Sequence, residues 1–130
     1  TVLIGDAPGN NRLDTLENIL ATGTVGLLFM IPGVDETLRI NGTARLSRDP
    51  ALLRLFDAEK NRPKVAIEIT VTQAYLHCAK ALMRSRLWHP SALQERSVLP
   101  SMGEMIGSQI GMQTAPESQE AMLARYVNDL

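Results

Sequence analysis

Glu36-Thr37-Leu38-Arg39-Ile40-Asn41-Gly42-Thr43-Ala44-Arg45-Leu46-Ser47 is the clearest alternating stretch in the chain. Leu38, Ile40, Ala44 and Leu46 fall on one side, and Thr37, Arg39, Asn41, Thr43, Arg45 and Ser47 on the other. That two-residue period belongs to a strand with one face in a core. The opposite face is polar and carries two arginines, which plain solvent exposure and a bound ligand explain equally well. Gly42 in the middle marks a bulge, or the close approach of another backbone or a ligand.

Upstream, residues 24–31 are almost wholly apolar (Val25, Leu27, Leu28, Phe29, Met30, Ile31), which predicts a strand covered on both faces. Pro32-Gly33-Val34-Asp35 then turns the chain into the alternating strand. Residues 11–21 read as an amphipathic helix with Leu13, Leu16, Ile19 and Leu20 on one side and Gly23 placed to stop it. Residues 1–5 read as a short strand ended by the turn sequence Asp6-Ala7-Pro8-Gly9.

Downstream, Asp49 is a helix cap and Pro50 suits the first helical position of a short helix carrying Leu52, Leu53, Leu55 and Phe56. A charged loop over 57–64 leads into a strand over 65–72, with Val65, Ile67, Ile69 and Val71 inward and Ala66, Glu68, Thr70 and Thr72 outward. Glu68 is placed to pair across the sheet with Arg39 or Arg45. Residues 74–88 read as a strand end passing into helix. If helical, they align Ala79, Leu82, Met83 and Leu87 on one side and a basic stripe of His77, Lys80 and Arg84 on another, with Trp88 one turn further on. Such a stripe is ordinarily a solvated face. Without interleaved acids and ending in an indole, it also suits a flat, negatively charged ligand.

Past Pro90 the pattern weakens. Residues 97–113 are rich in Gly, Ser and Met and read as a flap, an interface or a loop. Thr114-Ala115-Pro116-Glu117 resembles a capping box, and the stripe Met122, Leu123, Tyr126, Val127 and Leu130 predicts a C-terminal amphipathic helix over 114–130, packed on the core or on a partner subunit.

Composition limits the function. With 130 residues, 45% of them hydrophobic, the chain is one domain with a real core, and 13 basic against 14 acidic residues give no field for nucleic acid. A single cysteine, Cys78, allows no intrachain disulfide or cysteine zinc cage and fits a reducing, cytoplasmic interior. No apolar run is long enough for a membrane span. The chain starts without Met, already in strand-like sequence, so the N-terminus reads as cut or unobserved. The sequon Asn41-Gly42-Thr43 is taken as chance, and neither His77 nor His89 has a partner at zinc spacing. No nucleophile elbow, Walker loop or dinucleotide fingerprint is present.

One corner suggests a ligand directly. Asn10 and Asn11 at a helix start leave N–H groups at an electropositive end, and Arg12 in the first turn adds a cation where the dipole favours an acid. A phosphate seat accounts for that combination. The plainer account is an Asn N-cap, with Asp14 closing a loose capping box and Arg12 in solvent.

At these residues the chain resembles the pyridoxamine phosphate oxidase-like FMN-binding split barrels, closest to a bacterial subgroup of unassigned substrate. The matching runs are Pro8-Gly9-Asn10-Asn11-Arg12-Leu13-Asp14, Val25-Gly26-Leu27-Leu28-Phe29-Met30-Ile31-Pro32-Gly33, Glu36-Thr37-Leu38-Arg39-Ile40-Asn41-Gly42, and His77-Cys78-Ala79-Lys80-Ala81 continuing through Arg84-Ser85 to Leu87-Trp88. The resemblance implies a mainly β fold with helices, an antiparallel Greek-key split barrel, assembled as a homodimer with FMN in the interface. It places Asn10, Asn11 and Arg12 at the FMN phosphate, Thr37 and Arg39 beside the ribityl chain and ring, and Lys80, Arg84 and Trp88 on the partner subunit's side of the site. It further implies strands and a basic motif ahead of Thr1 that this chain lacks, so the barrel drawn here is N-terminally incomplete. Basic residues that grip a substrate phosphate in the vitamin-forming oxidases have no counterpart in 97–130, so pyridoxamine phosphate is not the expected substrate. The expected function is a flavin-dependent oxidoreductase of a small molecule. The alternatives are a non-catalytic module of the same fold carrying flavin, haem or a deazaflavin, or a cofactor-less dimeric scaffold.

Overall fold

The computed structural model describes residues 1–7, 9 and 12–127. Four strands, β1 (Val2–Gly5), β2 (Thr24–Phe29), β3 (Thr37–Ser47) and β4 (Ala66–His77), form one antiparallel sheet in the order β1-β4-β3-β2. Three successive strands lie side by side and the first returns beside the last, which is the Greek-key order traced from its other end. Among the described residues five α-helices accompany them: α1 (Asp14–Thr22), α2 (Pro50–Leu53), α3 (Lys80–Ser85), α4 (Met102–Ile110) and α5 (Gln119–Val127). Contacts gather the chain into two compact units, Thr1–Ala92 and Leu93–Leu130.

In the first unit the core follows the predicted inward face of the sheet, except that Ala66, read as outward, is buried as well. Ile19 of α1 packs on Ile67 and Ile69 of β4, and Val2, Leu16, Val25, Leu27, Ala44 and Leu46 close around them. Gly23 ends α1 in the left-handed conformation at φ 66°, and its carbonyl accepts the Ala44 N–H at 2.8 Å, joining helix end to sheet. Asp49 caps α2 by accepting the Ala51 N–H at 2.8 Å, with Pro50 at the first helical position. Glu68 pairs with Arg45, at 2.7 Å, rather than with Arg39. The Arg45 end is exposed, so the pair contributes under about 1 kcal/mol.

Several expectations are corrected. The α1 stripe is narrower than predicted: Leu16 and Ile19 pack, whereas Leu13 and Leu20 are exposed. β2 is an edge strand rather than a doubly covered one, and its apolar run stays open, with Leu28 52% and Phe29 43% exposed. β4 is one strand from Ala66 through His77, joining the strand read over 65–72 to the strand end read from 74. Asn41 pairs with Gln73 but Gly42 with Val71, so Thr72 is an extra residue, and its hydroxyl donates to the Asn41 carbonyl at 3.1 Å. Gly42 itself sits where Thr70 comes close, since a Cβ there would run into the Thr70 carbonyl oxygen. Thr37, expected on the polar outer face, is buried.

In the second unit, residues 97–113 contain α4 rather than loop alone. Its capping box is complete: Ser101 N–H donates to Glu104 Oε2 at 2.7 Å and Glu104 N–H to Ser101 Oγ at 3.2 Å. The expected box at Thr114 does not form. Ser118 Oγ accepts the Ala121 N–H at the start of α5, and Glu117 binds Arg125 at 2.9 Å. Of the predicted α5 stripe only Met122 is half-buried; Leu123, Tyr126 and Val127 are exposed, and Leu130 lies outside the described residues.

Hydrogen bonds from the Ser101 side chain first, and from its backbone second, hold the Glu104 carboxyl below its ordinary value of 4.5. A carboxylate with a lowered value stabilises its helix above the ordinary value and loses that contribution as pH falls through the lowered one. NMR titration is accordingly expected to give Glu104 a midpoint below 4.5, with amide protection of α4 falling at the same acid pH. A Glu104 midpoint at or above the ordinary value would contradict the cap.

Candidate functional site

The phosphate-seat residues are only partly described. Asn10 and Asn11 lie outside the described residues. Arg12 precedes α1 instead of lying in its first turn, because the helix starts at Asp14 with Leu13 as a cap that offers no side-chain bond. Asp14 therefore does not close a capping box. Its Oδ2 accepts from Arg12 Nη2 at 2.6 Å and Nε at 3.1 Å, on open surface.

The other candidates gather at one end of the sheet. Thr37 opens β3 and pairs with His77, the last residue of β4; Arg39 lies between Leu28 and Tyr75 on the outer face, exposed. Two residues after β4, α3 begins, and it carries Lys80 and Arg84 one turn apart, both exposed. Trp88 Nε1 donates to the Val34 carbonyl at 2.9 Å, tying the chain after α3 to the turn between β2 and β3. The predicted stripe is thus broken up. His77 belongs to β4, α3 is six residues long, and Arg86 in the left-handed conformation (φ 52°) turns the chain before Trp88.

The register keeps these groups apart from the root of the first loop. Gly5 pairs with Ala66 at the start of β4, and Asp6 N–H donates to the Val65 carbonyl at 2.9 Å, so the loop toward Arg12 leaves the end of the sheet opposite Thr37 and His77. Arg39, Lys80 and Arg84 form no ion pair among the described residues.

Two features were not legible in the sequence. Beside the Thr72 bulge an open groove of about 510 Å³ is lined by Asn18, Thr22, Thr24, Asn41, Thr43 and Thr72 together with Val25, Gly26 and Gly42, none of them charged. Its signal in the sequence is weak, because the hydroxyls come from α1, β2, β3 and β4 and meet only through the pairing. A second cavity, as open to solvent as that groove and of about 360 Å³, lies at the Thr37 end, with Asp35, Met83, Arg86, Trp88 and His89 in its wall.

An open antiparallel Greek-key sheet, helix-covered on one face, with cations and an indole around one of its ends, defines the class. The sequence matches the family described as pyridoxamine 5'-phosphate oxidase over residues 1–78, and the chain belongs to that family. The family is a split-barrel family, and the four-stranded sheet is the part of such a barrel that this chain builds. No curated protein and no solved structure is significantly similar to it. Arg12, Thr37 and Arg39 lie within the matched stretch, whereas Lys80, Arg84 and Trp88 lie beyond it. No described helix is long and apolar enough to cross a membrane.

Proposed function

We propose that the protein binds FMN as a homodimer and acts as a flavin-dependent oxidoreductase on a small molecule in a reducing, cytoplasmic setting. Family membership over residues 1–78 carries this reading. Asn10, Asn11 and Arg12 would hold the phosphate. The exposed Arg12–Asp14 contact is worth under about 1 kcal/mol, whereas a charged hydrogen bond to phosphate is worth about 1.5–3 kcal/mol, so that contact is weaker than the one a phosphate would make. Thr37 and Arg39 would flank the ribityl chain and ring, and Lys80, Arg84 and Trp88 would come from the second subunit.

Two observations support a shared site. The first loop and the Thr37 cluster start from opposite ends of the sheet within one chain. The exposed run Leu28, Phe29, Met30 and Ile31 on and beyond edge strand β2 is apolar surface of the kind a second copy covers. Bound flavin would supply the redox chemistry. The chain's own residues would bind and orient it, keep water from the ring, and hold positive charge near it through Arg39 or Arg84. Such chemistry needs no catalytic acid or base from the protein.

Arg12→Ala is expected to weaken FMN binding by about 1.5–3 kcal/mol in a fluorescence-quenching titration, with the unfolding midpoint of the flavin-free protein unchanged. Equal FMN affinity in wild type and variant would remove the phosphate role from Arg12. Turnover with a reduced nicotinamide and an electron acceptor would separate an enzyme from a flavin carrier.

A further inference from the structure

We propose that the cavity walled by Asp35, Arg86, Trp88 and His89 binds a small zwitterion with an apolar body, of which an aromatic α-amino acid is the simplest. Two opposite charges line one cavity of about 360 Å³, and neither forms an ion pair with a described residue. A purely anionic ligand gains from Arg86 and is opposed by Asp35; a cation meets the reverse. A ligand carrying both charges gains from both, so the wall selects by sign at two points.

The arginine is held in place without being neutralised. Arg86 is the only non-glycine described residue at positive φ, a conformation that persists where surrounding bonds enforce it. The His89 N–H donates to the Arg86 carbonyl at 2.9 Å, and Arg86 Nη2 donates to Ser91 Oγ. His89 Nδ1 lies 2.9 Å from that same oxygen and accepts the Ser91 N–H at 3.2 Å. A hydroxyl takes one guanidinium bond and leaves the charge whole, as a carboxylate would not. In the same wall, the Trp88 N–H is already used by the Val34 carbonyl. The indole therefore offers a ligand only apolar ring, and Met83, 58% exposed, adds an adaptable thioether beside it. The volume is at the small end of the roughly 300–1,000 Å³ of small-molecule sites.

Trp88 is the chain's single tryptophan, so the site carries its own reporter. Because Trp88 is also the residue proposed to meet the flavin, the protein as purified is titrated with L-phenylalanine, L-phenylalaninamide and N-acetyl-L-phenylalanine, with and without added FMN, while tryptophan emission is followed. Expected is a saturable change with phenylalanine and binding weaker by about tenfold or more for each singly charged analogue, as loss of one charged contact gives. Arg86→Gln should bind phenylalanine about tenfold more weakly and no longer reject the amide; Asp35→Asn should no longer reject the acetylated compound. Equal affinity for the three compounds in the wild-type protein, or no saturable change with any of them, would overturn the proposal without any variant being made. Either result leaves flavin binding, read from visible absorption, to stand or fall by itself.

Discussion

Ile69→Ala should cost about 2–5 kcal/mol of folding stability, the usual loss for emptying a fully buried isoleucine site. Ile69 is 0% exposed and lies where Val2 of β1, Ala44 of β3 and Ile19 of α1 meet β4. Backbone pairs on both sides of it hold the sheet open, so the space left behind cannot close cheaply. Domains of this size are stable by only about 5–15 kcal/mol, so one methyl-branched side chain accounts for a large share. Urea unfolding is expected to show a midpoint far below that of wild type with an unchanged slope. A loss under about 1 kcal/mol would mean that the core is not centred on β4.

Gly42→Ala is the second large effect, and it acts by addition instead of removal. A Cβ at Gly42 meets the Thr70 carbonyl oxygen, with Ile69 Cγ2 at 3.0 Å and the Thr70 carbonyl carbon at 3.1 Å. The obstacle is backbone in the neighbouring strand, which no rotamer change can move. A cost near the upper end of the roughly 1–3 kcal/mol of overpacked sites is expected. Gly26→Ala is the matched control, because its Cβ would meet only Asn41 Oδ1, at an ordinary 3.4 Å. Similar thermal midpoints for the two variants would contradict the close approach at Gly42.

Much of the sheet was legible because its period survives along the strand. The inward set Ile40, Ala44, Leu46, Ile67 and Ile69 follows from alternation alone, and Gly23, Asp49 and Pro50 punctuate the helices by local chemistry. Alternation fails where the ladder does. Thr72 adds one residue, so the face that carries Val71 continues with Ala74 and Leu76, both exposed, and a strict two-residue count loses the strand after Thr72. The stripe of His77, Lys80 and Arg84 holds only if the segment is helical from His77 on, and His77 ends β4 instead. Residues 97–113 hide their helix for another reason: Gly103, Gly107 and Ser108 lower helix propensity, and the Ser101/Glu104 box is the one local signal that starts α4. Gly103 has its own explanation, since Glu117 and Pro116 pack where its side chain would be.

The candidate site was less legible than the fold. Local spacing finds single charged residues, but which of them meet depends on strand register. The register separates the root of the first loop from the Thr37 end and brings Trp88 to Val34 across 54 positions, neither of which any local pattern signals. The left-handed Arg86 was invisible for the same reason: its conformation follows from where β4 and the β2–β3 turn place the chain, not from its neighbours in sequence.

Native mass spectrometry of the protein after FMN is added tests the central claim most directly. Two chains carrying two flavins, with the flavins lost and the dimer weakened in Arg12→Ala, is the result expected. A single chain that takes up no flavin at any FMN concentration would contradict it.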